Sequence, residues 1–188
     1  FNIDNVLAVS SGTAAIHMAL LLIGVKSEDE IISTAMTAEP TNTAILQAGA
    51  LPIFADVSPL TGNLDPSSVE NSITKKTKAI IVVHYAGYPA KIREIVKIAN
   101  KHKIPVIEDC AHALGAKIQN RSVGSFGDFS IFSFQAIKHI TTIDGGMLGM
   151  KNKKYMARAK KMRWFGLTKG KPRHFNRIRE LGFKYNMT

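Results

Sequence analysis

Short runs of apolar residues alternate along the chain with longer segments in which apolar residues recur every three or four positions. The short runs are typical of β-strands, and the longer spacing is typical of helices that bury one side. In the first such helix, Ile16, Leu20 and Ile23 share one side. We predict strands at residues 6–9, 30–34, 51–55, 78–84, 104–108, 128–134 and 146–150, and helices at 12–24, 39–48, 66–73, 89–101 and 153–164.

The order of these elements predicts the fold class. Strands that alternate with helices form a mostly parallel sheet with helices on both faces, which is an α/β fold. Residues 79–83 and 106–107 are continuously apolar, as expected of strands that are buried on both faces. No internal repeat, low-complexity segment or Pro/Gly-rich linker interrupts the chain, so we expect one domain over residues 1–188.

The composition excludes several classes of protein. Of the 188 residues 45% are hydrophobic, and Cys110 is the single cysteine, which excludes a disulfide framework. No four Cys or His side chains have the spacing of a structural zinc site, so no metal is predicted. The longest apolar stretch, residues 14–25, contains His17 and is shorter than the roughly 18 residues of a membrane span. We expect a cytoplasmic protein without membrane contact.

Positive charge is concentrated near the end of the chain. The formal net charge is +11, and residues 151–188 hold 13 Lys and Arg but only one acidic residue, Glu180. Such a segment is found in arms that bind nucleic acid or other polyanions. It is also found on solvated helices that lead to a surface for phosphate groups or a partner subunit. We favour the second interpretation and predict no nucleic acid partner, because no zinc-finger or RRM-type signature accompanies the charge.

The usual nucleotide-binding and hydrolase fingerprints, GxGxxG, GxxxxGK[ST] and GxSxG, are absent from the sequence. Candidate site residues are therefore expected at the carboxyl ends of the predicted strands, where open α/β sheets bind their ligands. A small-residue turn around Gly12 and Thr13 begins the first helix. Free backbone N–H groups and the helix dipole make such a turn an anion site, although a simple helix cap has the same sequence.

Two ionisable residues follow later strands. Asp109 comes after an apolar strand, where a carboxylate either caps the next turn or holds a protonated ring nitrogen. Lys138 follows the strand at 128–134; such a lysine is either solvated or, when partly desolvated, forms a Schiff base with a carbonyl. A phosphate turn, a carboxylate and a lysine in this order are the parts that a pyridoxal 5'-phosphate (PLP) site needs.

Seven collinear motifs carry a resemblance to a known family. They are SGTA at 11–14, QAGA at 47–50, GNLDP at 62–66, VHYAG at 83–87, EDCAHALG at 108–115, FSFQAIK at 132–138 and GFKYNMT at 182–188. With these motifs the sequence resembles the DegT-type (DegT/DnrJ/StrS) nucleotide-sugar aminotransferases, which are PLP enzymes of fold type I. The resemblance implies that residues 1–188 are the PLP-binding large domain. Because the chain begins with Phe1 and family members are longer, we expect the N-terminal lead-in and the C-terminal small domain to be absent from it.

The resemblance also implies roles for individual residues. Lys138 would form the Schiff base with PLP and carry the proton, Asp109 would pair with the ring nitrogen, and His112 would lie near the phenolic oxygen. Asn186 would reach the PLP phosphate of the other subunit, which implies a homodimer with shared active sites. The remaining cofactor-binding positions implied by the family are Ala111 against the ring and Gly12, Thr13 and Ser133 at the phosphate.

Two positions depart from the family pattern. Ala38 stands where the family commonly has an aromatic ring over the cofactor, so we expect another group to supply that face or the cofactor to bind weakly. Ile143 stands where glycine is usual, and a β-branched residue resists a positive φ. We therefore expect the loop beside Lys138 to have a different shape.

Three functions remain open from the sequence. The favoured one is a PLP-dependent aminotransferase that moves an amino group, from a donor such as glutamate, to a keto-sugar nucleotide and so makes an amino sugar. The second is a PLP-dependent sugar dehydratase of the same fold, in which histidine typically replaces the Schiff-base lysine; Lys138 opposes it, while His139 lies next to that position. The third is a non-catalytic fragment that binds polyanions through its basic segment.

Overall fold

The computed structural model describes residues 3–187; Thr188, the last residue of the 182–188 motif, lies outside them. Nine strands form within the described part of the chain. In chain order they are β1 (Asn5–Val9), β2 (Glu30–Ser33), β3 (Leu51–Phe54), β4 (Thr77–Val83), β5 (Val106–Asp109), β6 (Lys117–Ile118), β7 (Arg121–Ser122), β8 (Phe129–Ser133) and β9 (Gly146–Met150).

Seven of the strands form one sheet in the order β1-β9-β8-β5-β4-β2-β3. The five consecutive strands from β8 to β3 run parallel to one another. β9 lies antiparallel between β8 and β1, so one edge of the sheet is antiparallel. The strands β6 and β7 form a separate two-stranded hairpin that the sequence analysis did not predict. The expectation of a mostly parallel α/β sheet is confirmed.

In the part of the chain that the structure describes, five α-helices cover the two faces of the sheet. The buried side chains of α1, α2 and α5 belong to one core cluster, and those of α3 and α4 belong to the other. The continuously apolar strand β4 contributes to both clusters, with Ile81 on one side and Ile80 and Val82 on the other. The helices are α1 (Gly12–Ile23), α2 (Glu39–Gln47), α3 (Pro66–Asn71), α4 (Ile92–His102) and α5 (Met156–Met162).

The boundaries of two helices differ from the prediction. The helix expected from residue 89 begins at Ile92, because the Ala90 N–H donates to Nδ1 of buried His84 and so keeps this segment extended away from the helix. The helix expected over 153–164 is a 3₁₀ turn, Lys153–Tyr155, followed by α5. Within residues 3–187, no helix is both long and apolar enough to cross a membrane.

The parallel strands bring the predicted chemistry to one edge of the sheet. β5 ends at Asp109 and pairs in parallel with β8, which ends at Ser133. The antiparallel strand β9 begins opposite Ser133, at Gly146, directly beside the start of α1. Groups that are far apart in sequence therefore meet where β5 and β8 end.

Candidate active site

A cavity of about 380 Å³ opens at this edge of the sheet. It lies between the start of α1, the start of α2 and the segments that follow β5 and β8. Every site residue implied by the sequence except Asn186 lines it. These residues are Gly12, Thr13, Asp109, Ala111, His112, Ser133 and Lys138.

The first turn of α1 supplies donors at one end of the cavity. Ser11 is the N-cap of the helix, and its hydroxyl oxygen accepts the Ala14 N–H at 3.0 Å. The N–H groups of Gly12 and Thr13 lie at the first two helical positions, where α-helical geometry provides no acceptor. The helix-cap interpretation is thus correct for Ser11, and it leaves two amides and the dipole available to an anion.

Close backbone packing holds this turn against the ends of β8 and β9. A Cβ atom at Gly146 would lie 2.4 Å from the Ser11 carbonyl carbon, so only glycine allows β9 to begin there. A Cβ atom at Gly12 would lie 3.2 Å from Cβ of Ser133, which brings the Ser133 side chain next to the start of the helix. The Ser133 side chain therefore borders the same end of the cavity as the helix amides.

Asp109 lies in the wall of the cavity and is only 5% exposed. Its Oδ2 accepts the Thr41 hydroxyl at 2.9 Å, and its Oδ1 accepts the Ala111 N–H at 3.1 Å. Both carboxylate oxygens therefore have a donor within the protein. The carboxylate is held in one orientation beside the cavity.

Lys138 is half-buried at the mouth of the cavity. Burial lowers the pKa of its ammonium group, and the negative charge of Asp109 opposes this shift in part. The lowered pKa raises the fraction of Lys138 that is present as the free amine, which is the form that attacks a carbonyl.

His112 also lines this cavity. Burial lowers the pKa of its imidazole, and the positive charge of Lys138 lowers it further, while Asp109 acts in the opposite direction. The neutral ring, which can accept one hydrogen bond and donate another, is therefore favoured near neutral pH.

Comparison with known proteins agrees with this geometry. The model of the DegT/DnrJ/EryC1/StrS aminotransferase family matches residues 2–188. The chain belongs to this family. It is 40% identical over 180 residues to the GDP-perosamine synthase of Escherichia coli O157:H7, a match that covers 96% of this chain and 49% of that protein. The chain thus spans about half the length of the curated relatives it matches.

Solved structures of the family share the fold. The crystal structure of AtS13 from Actinomadura melliaura superposes with a TM-score of 0.93 at 37% identity, covering 98% of this chain and 52% of that one. NtdA from Bacillus subtilis, solved with bound cofactor PMP, superposes with a TM-score of 0.91 at 30% identity, covering 98% and 41%. The expectation of the fold type I large-domain architecture is confirmed.

Asn186, the remaining family position, lies outside the cavity of its own chain. Its Oδ1 accepts a hydrogen bond from Nζ of Lys184 at 2.9 Å. The preceding Tyr185 is fixed against α1, because its carbonyl accepts the Ser10 N–H at 2.8 Å and its hydroxyl bonds Nδ1 of His17 at 3.0 Å. The contact of Asn186 with a second subunit stays a prediction.

A second group of buried polar residues lies behind the cavity and was missed by the sequence analysis. Glu108 is fully buried, and its carboxylate accepts the N–H groups of Gly124, Phe126 and Gly127 at 2.6–2.8 Å and Nε2 of His84 at 3.1 Å. Since Nδ1 of His84 accepts the Ala90 N–H, the ring proton is on Nε2. Glu108 therefore organises the loop that leads into β8.

Glu108, His84 and Cys110 place their ligand atoms within 4.8 Å of one another. Each carboxylate oxygen of Glu108 already accepts two hydrogen bonds, so no lone pair is left for a metal ion. Burial, with the negative charges of Glu108 and Asp109, raises the pKa of the Cys110 thiol well above its usual value. This cluster is a structural hydrogen-bond centre and not a metal site.

The structure shows what surrounds the two positions that depart from the family pattern. Ala38 lines the cavity, and so does Tyr85, a ring that the sequence analysis did not single out. The Tyr85 backbone is held by its N–H donating to Oδ1 of Asn63 at 2.9 Å. Ile143 adopts φ 70°, the left-handed conformation that a β-branched residue resists, so this position carries backbone strain. The Thr141 hydroxyl accepts the Ile143 N–H at 2.9 Å and holds the turn.

Replacing Ile143 with glycine is expected to raise the free energy of unfolding by about 1 kcal/mol, because removing left-handed strain outweighs the extra freedom of glycine in the unfolded chain. The side chain is 82% exposed, so little burial is lost. Ile140 is exposed in the same loop at negative φ, and Ile140→Gly should destabilise the protein. Urea denaturation of both variants checks the expectation, and a loss of stability in Ile143→Gly would contradict it.

Proposed function

We propose that residues 1–188 are the large, PLP-binding domain of a PLP-dependent aminotransferase that transfers an amino group from glutamate to a keto-sugar nucleotide. The observation that carries the proposal is that a lysine, a carboxylate and the amino end of a helix line the same cavity. Membership of an aminotransferase family supports it, as does the PMP found in NtdA.

The residues of the cavity fit the cofactor in chemistry. The amides of Gly12 and Thr13, with the Thr13 and Ser133 hydroxyls, would hold the phosphate. The oriented carboxylate of Asp109 would hold the ring nitrogen in its protonated form, and Ala111 would lie against the ring. When bound, PLP supplies an electron sink for the carbanion formed at the amino carbon.

The chain's own groups would supply the proton transfers. Lys138, with its lowered pKa, is able to take a proton at Nζ and return it on the same side of the cavity. His112, favoured as the neutral ring, would donate a hydrogen bond to the phenolic oxygen. Both side chains border the space in which the reacting carbon would lie.

The basic segment supports a nucleotide-linked substrate and a shared active site. Residues 151–188 hold 13 basic residues against Glu180 alone, and Glu180 is already paired with Arg158 at 2.7 Å. The uncompensated charge would attract the diphosphate of a sugar nucleotide. Because Tyr185 anchors the segment that carries Asn186, a homodimer in which Asn186 reaches the partner's phosphate site is the assembly we propose.

The alternatives make different predictions. A dehydratase would need histidine at the Schiff-base position, and Lys138, not His139, is among the described residues that line the cavity. A polyanion-binding fragment would bind nucleic acid in a salt-dependent way and give no cofactor spectrum. An absorbance spectrum with added PLP, followed by borohydride reduction and peptide mapping, separates these cases. Label on Lys138 is expected, and label elsewhere or none in the complete polypeptide would contradict the proposal.

Replacing Asp109 with asparagine is expected to lower kcat about 10²- to 10³-fold, because the amide keeps the shape but removes the charge that holds the ring nitrogen protonated. Steady-state kinetics of the complete polypeptide measure the effect. Asp56→Asn, at an exposed position, serves as the matched control and should leave kcat unchanged. Equal turnover in Asp109→Asn would mean that another residue holds the ring.

A further inference from the structure

Two threonine hydroxyls form a chain of hydrogen bonds that ends at the carboxylate of Asp109. The Thr41 hydroxyl donates to Oδ2 of Asp109 at 2.9 Å, and the hydroxyl oxygens of Thr37 and Thr41 lie 2.9 Å apart. Thr41 is 3% exposed, and both threonines line the cavity. Neither threonine belongs to any of the seven family motifs.

The direction of the protons follows from the acceptor. An ionised carboxylate only accepts hydrogen bonds, so the single hydroxyl proton of Thr41 is committed to Asp109. The Thr41 oxygen must then accept the proton of Thr37. The two bonds run in one direction, from Thr37 through Thr41 to Asp109, and each polarises the next.

This use of Thr41 differs from that of a threonine in an ordinary helix. A threonine hydroxyl within a helix commonly bonds the backbone carbonyl four residues earlier. The Thr41 hydroxyl instead donates to the carboxylate of Asp109, which lies 68 positions later in the chain. The bond thus joins the first turn of α2 to the end of β5.

The helix that carries Thr41 is itself fixed to the sheet. Nδ2 of Asn42 donates to the Thr34 carbonyl at 3.0 Å, and its Oδ1 accepts the Ser33 hydroxyl at 2.9 Å. These bonds hold the start of α2 to the end of β2. Thr41 is therefore presented to Asp109 by a rigid support, as required of a group that orients another.

We propose that Thr41, polarised by Thr37, is the positioning residue that orients the Asp109 carboxylate toward the cofactor ring nitrogen. The inference rests on the proposed role of Asp109. Oδ1 is held by the Ala111 N–H from the segment after β5, and Oδ2 is held by Thr41 from α2. Without Thr41, Oδ2 loses its donor, and only the Ala111 N–H on Oδ1 restrains rotation about the χ2 angle.

Variants at the two threonines test the inference in the complete polypeptide. Thr41→Val keeps the shape but removes the hydroxyl, and is expected to weaken PLP binding about tenfold. Thr41→Ser keeps the hydroxyl and should restore binding to within about twofold, whereas Thr37→Val should weaken it by only about twofold to threefold. Fluorescence titration gives the PLP dissociation constants, and thermal melting without PLP checks that the variants fold.

A double-mutant cycle separates positioning from a structural effect. In the Asp109→Ala background no carboxylate remains, so Thr41→Val should cause no further loss of PLP affinity. The same tenfold loss in that background, or wild-type affinity in Thr41→Val alone, would overturn the inference. If Asp109→Ala itself leaves PLP affinity unchanged, the proposed role of Asp109 fails first, and the inference fails with it.

Discussion

Replacing Lys138 with alanine is expected to reduce turnover by about 10³-fold or more while leaving the fold intact. No other lysine is among the described residues that line the cavity, so no second amine is placed to take over its proton transfers. The side chain is only half-buried and forms no ion pair within residues 3–187, so its removal should cost little stability. Single-turnover and steady-state assays on the complete polypeptide measure the loss.

Lys97→Ala is the matched control, because Lys97 is exposed on α4, which packs on the face of the sheet opposite α1. Its turnover and its melting temperature should both equal those of the wild type. If Lys138→Ala retains turnover while its spectrum with PLP is unchanged, the assignment of this lysine is wrong. If Lys138→Ala loses its melting transition, the expectation that its removal leaves the fold intact is contradicted.

Replacing Glu108 with glutamine is expected to lower the free energy of unfolding by about 3 to 5 kcal/mol, the range for breaking a buried charged network. Glutamine keeps the volume, but its amide has one oxygen and one NH₂ group. The oxygen can serve the Phe126 and Gly127 N–H groups, while the NH₂ group would then face the N–H groups of Gly124 and His84. The Gly124 N–H and the His84 Nε2–H would then be buried facing the glutamine NH₂ group, which is also a donor, and would have no acceptor.

Glu70→Gln provides the comparison, because Glu70 pairs with Lys101 at 3.1 Å on the surface. Such exposed pairs contribute about 0 to 1 kcal/mol, so the control should change stability very little. Urea denaturation of both variants gives the two free energies. A loss below about 1 kcal/mol in Glu108→Gln would mean that the carboxylate is not the centre of the network.

The predicted elements agree with the structure wherever local pattern decides the conformation. Continuous apolar runs predict β4 and β5, and the strand of residues 128–134 is observed as β8. Predictions failed where a specific side-chain hydrogen bond, rather than the apolar pattern, decides the local structure. The start of α4 depends on the Ala90 N–H bonding to His84, and the conformation of Ile143 depends on a turn held by the Thr141 hydroxyl.

The residues of the candidate site also fall into those that the sequence indicates and those that only the structure reveals. Lys138, Asp109 and the Gly12–Thr13 turn stand out in the sequence, because each follows a strand and has side-chain or backbone chemistry suited to PLP. Thr41 and Glu108 do not stand out, since a threonine in a helix and a glutamate beside an aspartate are ordinary in sequence. Their roles depend on partners 68 and 16 to 24 residues away. Only a folded chain brings those partners within hydrogen-bond distance.

By itself, the sequence determined the α/β class, the positions of the main strands and helices, and the family resemblance, because periodicity and motif order are local properties of the chain. The tertiary structure alone decided the strand order, the antiparallel edge formed by β1 and β9, and the hydrogen bonds that orient Asp109. These features depend on which distant segments pack together. That choice is set by the burial of both faces of the sheet as a whole and not by any one segment.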